Sequence, residues 1–322
     1  MSLQALETPT NGSLIRLHKT LDMPREQWLE LRRRGIGGSD SPTVVGLNPW
    51  SSRLELYADK LGLIEEREDN EAMRQGRDLE DYVAKRWEEA TGKKVRRENH
   101  ILYNPLYEFA FANIDRAVVG EKALLEVKTT SVYNKHDFEN GEIPDYYYCQ
   151  VTHYLGVTGY EKAYLAVLVL NKGFYHYEIY RNQAEIDALM EAERLFWVNH
   201  VQKRVPPEPD GSDSAYAVLS AMDRGASTTY LSDTLLADYD RAKKTAKEYA
   251  DEAERLKQLV IQALGSNERG EGRDYKCSYL EQTRESIDTK KLKSYYPDIY
   301  NQFKKESTYR VLRMNEKKGD KQ

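Results

Sequence analysis

Apolar residues recur along this chain with two different periods, and the switches between them mark out its elements. From residue 23 to 62, "MPREQWLELRRRGIGGSDSPTVVGLNPWSSRLELYADKLG" predicts a helix, a glycine-rich turn and a second short helix, then a turn at Asn48-Pro49 and a third helix. Ser39-Asp40 occupies the N-cap region of the second. Residues 70–92 form a strong amphipathic pattern, with Leu79, Val83, Trp87 and Ala90 on one stripe and Glu80 at its border. The period then shortens to two. "VRRENHILYN" leads into a strand over 109–119, Gly120-Glu121, and a second strand over 122–131. A helix follows at 144–159, then a buried strand at 163–170 and its partner at 173–181. A helix over 183–203 ends at Pro206-Pro207.

Both ends read differently. Residues 1–24 form a loosely packed lead, 25–207 the main domain, and the polar, Gly/Ser-bearing stretch 208–230 a linker. Over 231–322 the pattern changes again. Leu235, Tyr239, Ala242, Ala246, Tyr249, Ala253, Leu256, Val260 and Ala263 alternate four and three apart, the a/d seam of a heptad helix about four heptads long. "GSNERGEG" ends it, and "YKCSYLEQT" and "TYRVLRM" predict strands flanking a short helix near 288–304. There are no internal repeats.

Composition narrows the chemistry. The 322 residues are 40% hydrophobic and 31% charged, enough for a large core and a well-solvated surface. The longest apolar run, "AYLAVLVL", is far too short to span a bilayer, and the N-terminus lacks a signal-peptide pattern, so a cytoplasmic protein is expected. Two widely separated cysteines exclude a disulfide framework and a four-cysteine metal cluster. The six histidines fall in no metal-binding pattern. Any metal must therefore be held by oxygen, which favours Mg²⁺ or Mn²⁺. A net charge of −5 argues against a surface coated in nucleic acid but leaves room for a local basic channel. "GIGGS" lacks the Gly-Lys-Ser/Thr of an ATP-binding loop; its glycines suit close approach of backbone N–H groups to a phosphate.

The run "LLEVKTTS" raises the sharpest question. Glu126 and Lys128 share one face of a strand, with Leu125 and Val127 on the other. If Gly120-Glu121 is a two-residue type II′ loop, Val119 pairs with Lys122, and counting back puts Asp115 directly opposite Glu126. Like charges so placed in apolar surroundings destabilise a sheet unless a cation joins them. Lys128 is one such cation; a divalent metal is a stronger one. The alternative is an exposed ion pair on a strand. Gln150 and Tyr154 lie one helical turn apart and either line this site or simply pack; Arg32–Arg34 is either a solvated face or a phosphate contact; His153 is read as structural.

The Asp…Glu-x-Lys arrangement resembles the PD-(D/E)xK nuclease superfamily, here without a proline before the aspartate. Over roughly residues 25–205, "EQWLELRRRGIGGSDSPTVVGLNPW", "GRDLEDYVAKRWEEATG", "NIDRAV", "LLEVKTTS" and "YYCQVTHYLGVTG" resemble, in order and spacing, the YqaJ-type viral recombinases related to phage lambda exonuclease. The resemblance implies an α+β fold: an α/β/α restriction-endonuclease-like core, with a mixed central sheet flanked by helices, plus a C-terminal heptad helix and small α+β extension. It implies that Asp115, Glu126 and the Val127 carbonyl hold metal, Mg²⁺ or Mn²⁺ and two ions per site. Glu80 would be the extra acid, Lys128 the water-activating lysine, and Gln150 a site-lining residue. Arg32 and Ser39 would contact a DNA 5′-phosphate. The activity implied is ATP-independent 5′→3′ exonuclease action on linear double-stranded DNA, leaving 3′ overhangs for phage-type recombination. A trimeric ring, a phage single-strand annealing protein as partner, and a phage or prophage setting in a bacterial host come with it. The rivals are an endonuclease or resolvase with the same metal chemistry, and a non-catalytic DNA-binding assembly module built on the heptad helix.

Overall fold

The computed structural model describes residues 13–65, 69–132, 138, 141–222, 225 and 227–314. The chain divides into two compact units, Met1–Met222 and Asp223–Gln322.

In the first unit, strand β1 (Ile15–Lys19) is followed by α1 (Arg25–Arg32), β2 (Ile36–Gly37), α2 (Ser41–Val44), α3 (Arg53–Lys60) and the long α4 (Glu71–Thr91). Then come β3 (Val95–Arg97), β4 (His100–Tyr103), β5 (Ala110–Ala112), β6 (Arg116–Val118), β7 (Ala123–Thr130), α5 (Asp145–Thr158), β8 (Lys162–Val169), β9 (Gly173–Tyr180), α6 (Gln183–Phe196) and α7 (Asp213–Ala221). The last turn of the expected 183–203 helix winds as a π-helix over Trp197–Gln202.

Two sheets organise this unit. The five-stranded one runs β3-β6-β7-β8-β9 and is mixed: β7 and β8 are parallel, and the other neighbours antiparallel. Helix α5 is the crossover that parallel pairing demands. Side-chain alternation along β7 assigns each face. Ala123, Leu125 and Val127 pack beneath Val83, Ala84 and Trp87 of α4, whereas Leu124 belongs to the core under α5. Nearly all of β8 is buried because helices cover both its faces. The fold is thus α+β, a mixed sheet between helical layers. The second, four-stranded sheet has the order β1-β4-β5-β2.

Local signals explain the ends of α4. Asn70 Oδ1 accepts from Met73 N at 3.0 Å, and Gly92 closes the helix in the left-handed region. On its stripe, Ala84 is buried and Ala90 exposed, the reverse of the simple four-three count.

Other departures have physical reasons. The lead is not all loose: β1 pairs antiparallel with β4. The single strand expected over 109–119 is two, β5 and β6, in different sheets. Asn113 and Asp115, both turn formers, stand in the break where the chain crosses from one sheet to the other. The stretch expected as a linker carries α7, where Ser214 Oγ bonds Ser52 Oγ at 2.8 Å and Glu55 at 2.6 Å, fastening it to α3.

The second unit holds α8 (Asp233–Leu264), the hairpin β10 (Arg269–Glu271) and β11 (Lys276–Ser278), and helices α9 (Thr289–Tyr295) and α10 (Pro297–Phe303). Helix α8 coincides with the heptad pattern. "TYRVLRM" forms no strand and belongs to none of the sheets. No helix among the described residues is long and apolar enough to cross a membrane.

Candidate metal and phosphate site

Strands β6 and β7 pair Arg116 with Leu125 and Ala117 with Leu124. This is the register expected from a turn at Gly120-Glu121, where Gly120 has φ 81°, although β6 ends at Val118 and β7 begins at Ala123, so that four residues, 119–122, join the strands rather than two. Asp115 stands immediately before β6, and its side chain reaches the same stretch of β7. Asp115 Oδ2 accepts from Val127 N at 2.8 Å, so the carboxyl is pinned to the middle of the Glu126-Val127-Lys128 run.

Glu126 is buried, 2% exposed, and its two oxygens differ. Oε1 accepts from Lys128 Nζ at 2.6 Å and from Gln150 Nε2 at 2.6 Å. Oε2 is buried and has no hydrogen-bond partner among the described residues. An orphaned carboxylate oxygen beside a second buried acid is costly unless something electropositive sits there. Hard oxygen donors in this arrangement fit Mg²⁺ or Mn²⁺. Val127 sends its side chain to the α4 face while its backbone stays between the two site residues.

The electrostatics agree. Burial, then Glu126, pushes the Asp115 carboxyl well above the usual range, with Lys128 opposing. Burial also raises Glu126 against the lowering pull of Lys128. Burial alone would lower Lys128, yet Glu126 and Asp115 outweigh it and its ammonium is held more firmly than usual. Its Nζ lies 5.2 Å from the centre of the Tyr147 ring.

A pH dependence follows. The folded protein keeps protons on these acids that the unfolded chain releases above about pH 4. Without metal, stability attributable to the pair should fall as pH rises from there through the raised folded values. Thermal melts in chelator between about pH 5 and 8 should show that fall, and Asp115→Asn should flatten it. A mutant profile parallel to wild type would remove the pair as its cause.

Glu80 stands apart from this pair. Its carboxylate is ion-paired with Arg116, which is buried and also donates to Asp81 at 2.6 Å and to the Asp115 carbonyl at 2.7 Å. Glu80 is near enough to raise both acids, but no three His, Cys, Asp or Glu residues among those described converge as a metal cluster. Sequence reasoning missed Arg116. The signal was its adjacency to Asp115: alternate residues of a strand face opposite ways, so the arginine turns toward α4.

Arg32 and Ser39 come together at a second locus. Arg32 Nη2 donates to Ser39 Oγ at 3.0 Å and to Asp40 Oδ1 at 2.8 Å. Asp40 stands at the N-cap position of α2, as expected, but its side chain makes no capping hydrogen bond. Its buried carboxylate also accepts from Lys60 Nζ at 2.6 Å and Gly37 N at 2.9 Å. Burial would raise Asp40, but Lys60 and Arg32 together hold it well below the usual range. Asp40 thus joins Arg32 and Lys60, and holds the Arg32 guanidinium beside Ser39. Arg32 and Ser39 line a concavity with Thr43 and Asn48, which also receives Glu55, Asp59 and Glu65.

Tyr154 joins the two loci. A Cβ at Gly38 would overlap its ring, so only glycine lets the "GIGGS" turn lie this close. Its hydroxyl accepts from Gln150 Nε2 at 3.1 Å, and Gln150 in turn holds Glu126. His153 is fully buried, between Glu193 at 2.9 Å and the Phe111 carbonyl at 2.9 Å, outside the site.

Sequence comparison now bears on this geometry. Residues 27–161, which include every site residue above, match the YqaJ-like viral recombinase domain. The uncharacterized protein YqaJ of Bacillus subtilis (strain 168) is 40% identical over 309 residues, covering 93% of this chain and 97% of that protein. The chain belongs to the YqaJ family. Solved structures share a weaker likeness. An alkaline exonuclease, LHK-Exo, from Laribacter hongkongensis aligns at TM-score 0.48 and 20% identity over 56% of this chain and 93% of that one. A phage related exonuclease from Haemophilus somnus 129PT aligns at TM-score 0.40 and 12% identity over 55% of this chain and all of that one. What ties the chain to YqaJ is therefore the sequence match over 93% of its residues together with the domain match over the two loci.

Proposed function

We propose that this YqaJ-family protein is a divalent-metal-dependent, ATP-independent 5′→3′ exonuclease of linear double-stranded DNA. The observation that carries this is the buried Asp115–Glu126 pair, with one orphaned oxygen, set against Lys128. Asp115, Glu126 and the Val127 carbonyl would hold the cation. A bound Mg²⁺ or Mn²⁺ would supply Lewis acidity toward the scissile phosphate and lower the pKa of the attacking water. Lys128, kept charged by the acids, orients that water and counters charge building on the phosphate. Gln150, with Lys128, fixes Glu126 Oε1 so that Oε2 is the oxygen presented. Glu80, whose Oε1 is held by Arg116, would be the further acid available to a second ion.

Metal chemistry alone sets no polarity; a terminus must be recognised. Arg32, oriented by Asp40, and Ser39 offer donors to a terminal 5′-phosphate, which carries more charge than an internal diester. Tyr154 and Gln150 link that contact to the acids. The product would be a 3′ overhang, and a phage single-strand annealing protein the natural partner to coat it. A trimeric ring enclosing the duplex, acting in the cytoplasm of a bacterium that carries the phage or prophage, completes the proposal.

Linear duplexes labelled at either end, with 5′-phosphate or 5′-hydroxyl, and a covalently closed circle test it in Mg²⁺ without ATP. Phosphorylated ends should be digested faster, the circle left whole, and Arg32→Ala should narrow the phosphate preference more than it weakens metal binding. Equal rates on both ends, or a cut circle, would move the endonuclease reading ahead.

A further inference from the structure

Helix α8 presents a surface that the rest of its own unit leaves open. Over its 32 residues only Leu264 is buried, while Leu235, Tyr239, Tyr249, Leu256 and Val260 along the seam are between 42% and 73% exposed. A stripe of this length, about 48 Å at the α-helical rise, needs a long partner. The charges flanking it say which.

Taking Tyr239, Ala246, Ala253 and Val260 as a positions and Leu235, Ala242, Tyr249, Leu256 and Ala263 as d, the preceding g positions hold Asp238, Thr245, Glu252 and Leu259. The e positions hold Leu236, Lys243, Ala250, Lys257 and Leu264. In a parallel, in-register coiled coil, each g residue meets the e residue five places later on the other chain. Asp238 then meets Lys243, Glu252 meets Lys257 and Thr245 meets Ala250, while Leu264 is already buried within its own unit. Both charged contacts join opposite charges. An antiparallel pair brings e against e and g against g instead, and centred on Ala250, where the helices overlap most, it sets Lys243 against Lys257 twice over. Within one chain Asp238 is bonded to Arg241, and Glu252 to Arg255, by exposed intrahelical pairs. A lysine from another copy adds to those arrangements, since each carboxylate has lone pairs to spare. Alanine at four of the nine seam positions lets the helices approach closely.

We infer that α8 is a self-association element whose partner is α8 of another copy of this chain, parallel and in register. The inference is independent of the metal chemistry, because every residue it uses lies in the second unit. It also gives the tail a role in assembly that does not call on the annealing partner.

The test uses the full chain with Cys277→Ser, which removes the exposed native thiol and leaves the buried Cys149. Ala242→Cys in this background should form a disulfide-linked dimer under mild oxidation, since equivalent d positions face each other only in the parallel register. A mixture of Ala242→Cys and Leu256→Cys chains should give no mixed crosslink. Adding Glu252→Lys should lower the crosslinking yield about tenfold at low salt, because two attractive pairs become repulsive. Adding Lys257→Glu as well should restore it, with helix content by circular dichroism unchanged throughout. A dominant 242–256 crosslink, no crosslink at all, or failure of the double charge reversal to restore the yield would each overturn the proposal.

Discussion

Asp115→Ala and Glu126→Ala should each cut hydrolysis of linear duplex DNA in Mg²⁺ by about 10³-fold or more, because several kcal/mol of charge stabilisation in the transition state goes with the cation. Both variants should fold. Removing one of two buried, opposed acids relieves their repulsion, so the metal-free melting temperature should hold or rise. Lys128→Ala should fall about as far in activity, yet for another reason: the acids remain, and so does metal affinity. Gln150→Ala should be milder, because Lys128 still holds Glu126 Oε1. Single-turnover cleavage on a 5′-phosphorylated linear duplex checks all four. Full turnover by Asp115→Ala would remove the site altogether.

Lys60→Met should be among the most destabilising substitutions away from the metal site. Lys60 is buried, and its Nζ meets Asp40 Oδ2 at 2.6 Å and the Arg32 carbonyl at 3.0 Å. Taking it away leaves a buried carboxylate with one cation rather than two, a loss of about 3–5 kcal/mol by analogy with broken buried pairs. Asp40 is held below its ordinary pKa, so its stabilising contribution is present at neutral pH and is lost only in strong acid. Urea unfolding at neutral pH reads the effect. Asp40→Asn combined with Lys60→Met should recover much of the loss, because the uncompensated charge is gone. A Lys60→Met midpoint within about 1 kcal/mol of wild type would mean that Arg32 alone satisfies Asp40.

Much of the site was legible because it rests on local rules. Strand alternation put Glu126 and Lys128 on one face, and the Gly120 turn set a register that leads to Asp115. The four-residue spacing of Gln150 and Tyr154 brought both to the same helix face. What stayed hidden depends on long-range packing. Nothing local says that Asp40 abandons α2 for Lys60, twenty residues on, because that requires the return of α3. Arg116 could be assigned to the opposite face, but its grip on Glu80 depends on how α4 lies across the sheet. The break at 113–115 was also invisible. Asn113 and Asp115 are turn formers, but apolar residues on both sides of them suit one strand, and only the second sheet shows that the chain crosses over there.

Metal binding itself is the most direct measurement. Isothermal titration of Mn²⁺ into the metal-free protein should show binding by wild type and by Lys128→Ala, and its loss in Asp115→Asn and Glu126→Gln. These amide variants keep the shape of the pocket and remove only its charge. Undiminished Mn²⁺ affinity in Glu126→Gln would contradict a metal site built on the orphaned Glu126 oxygen.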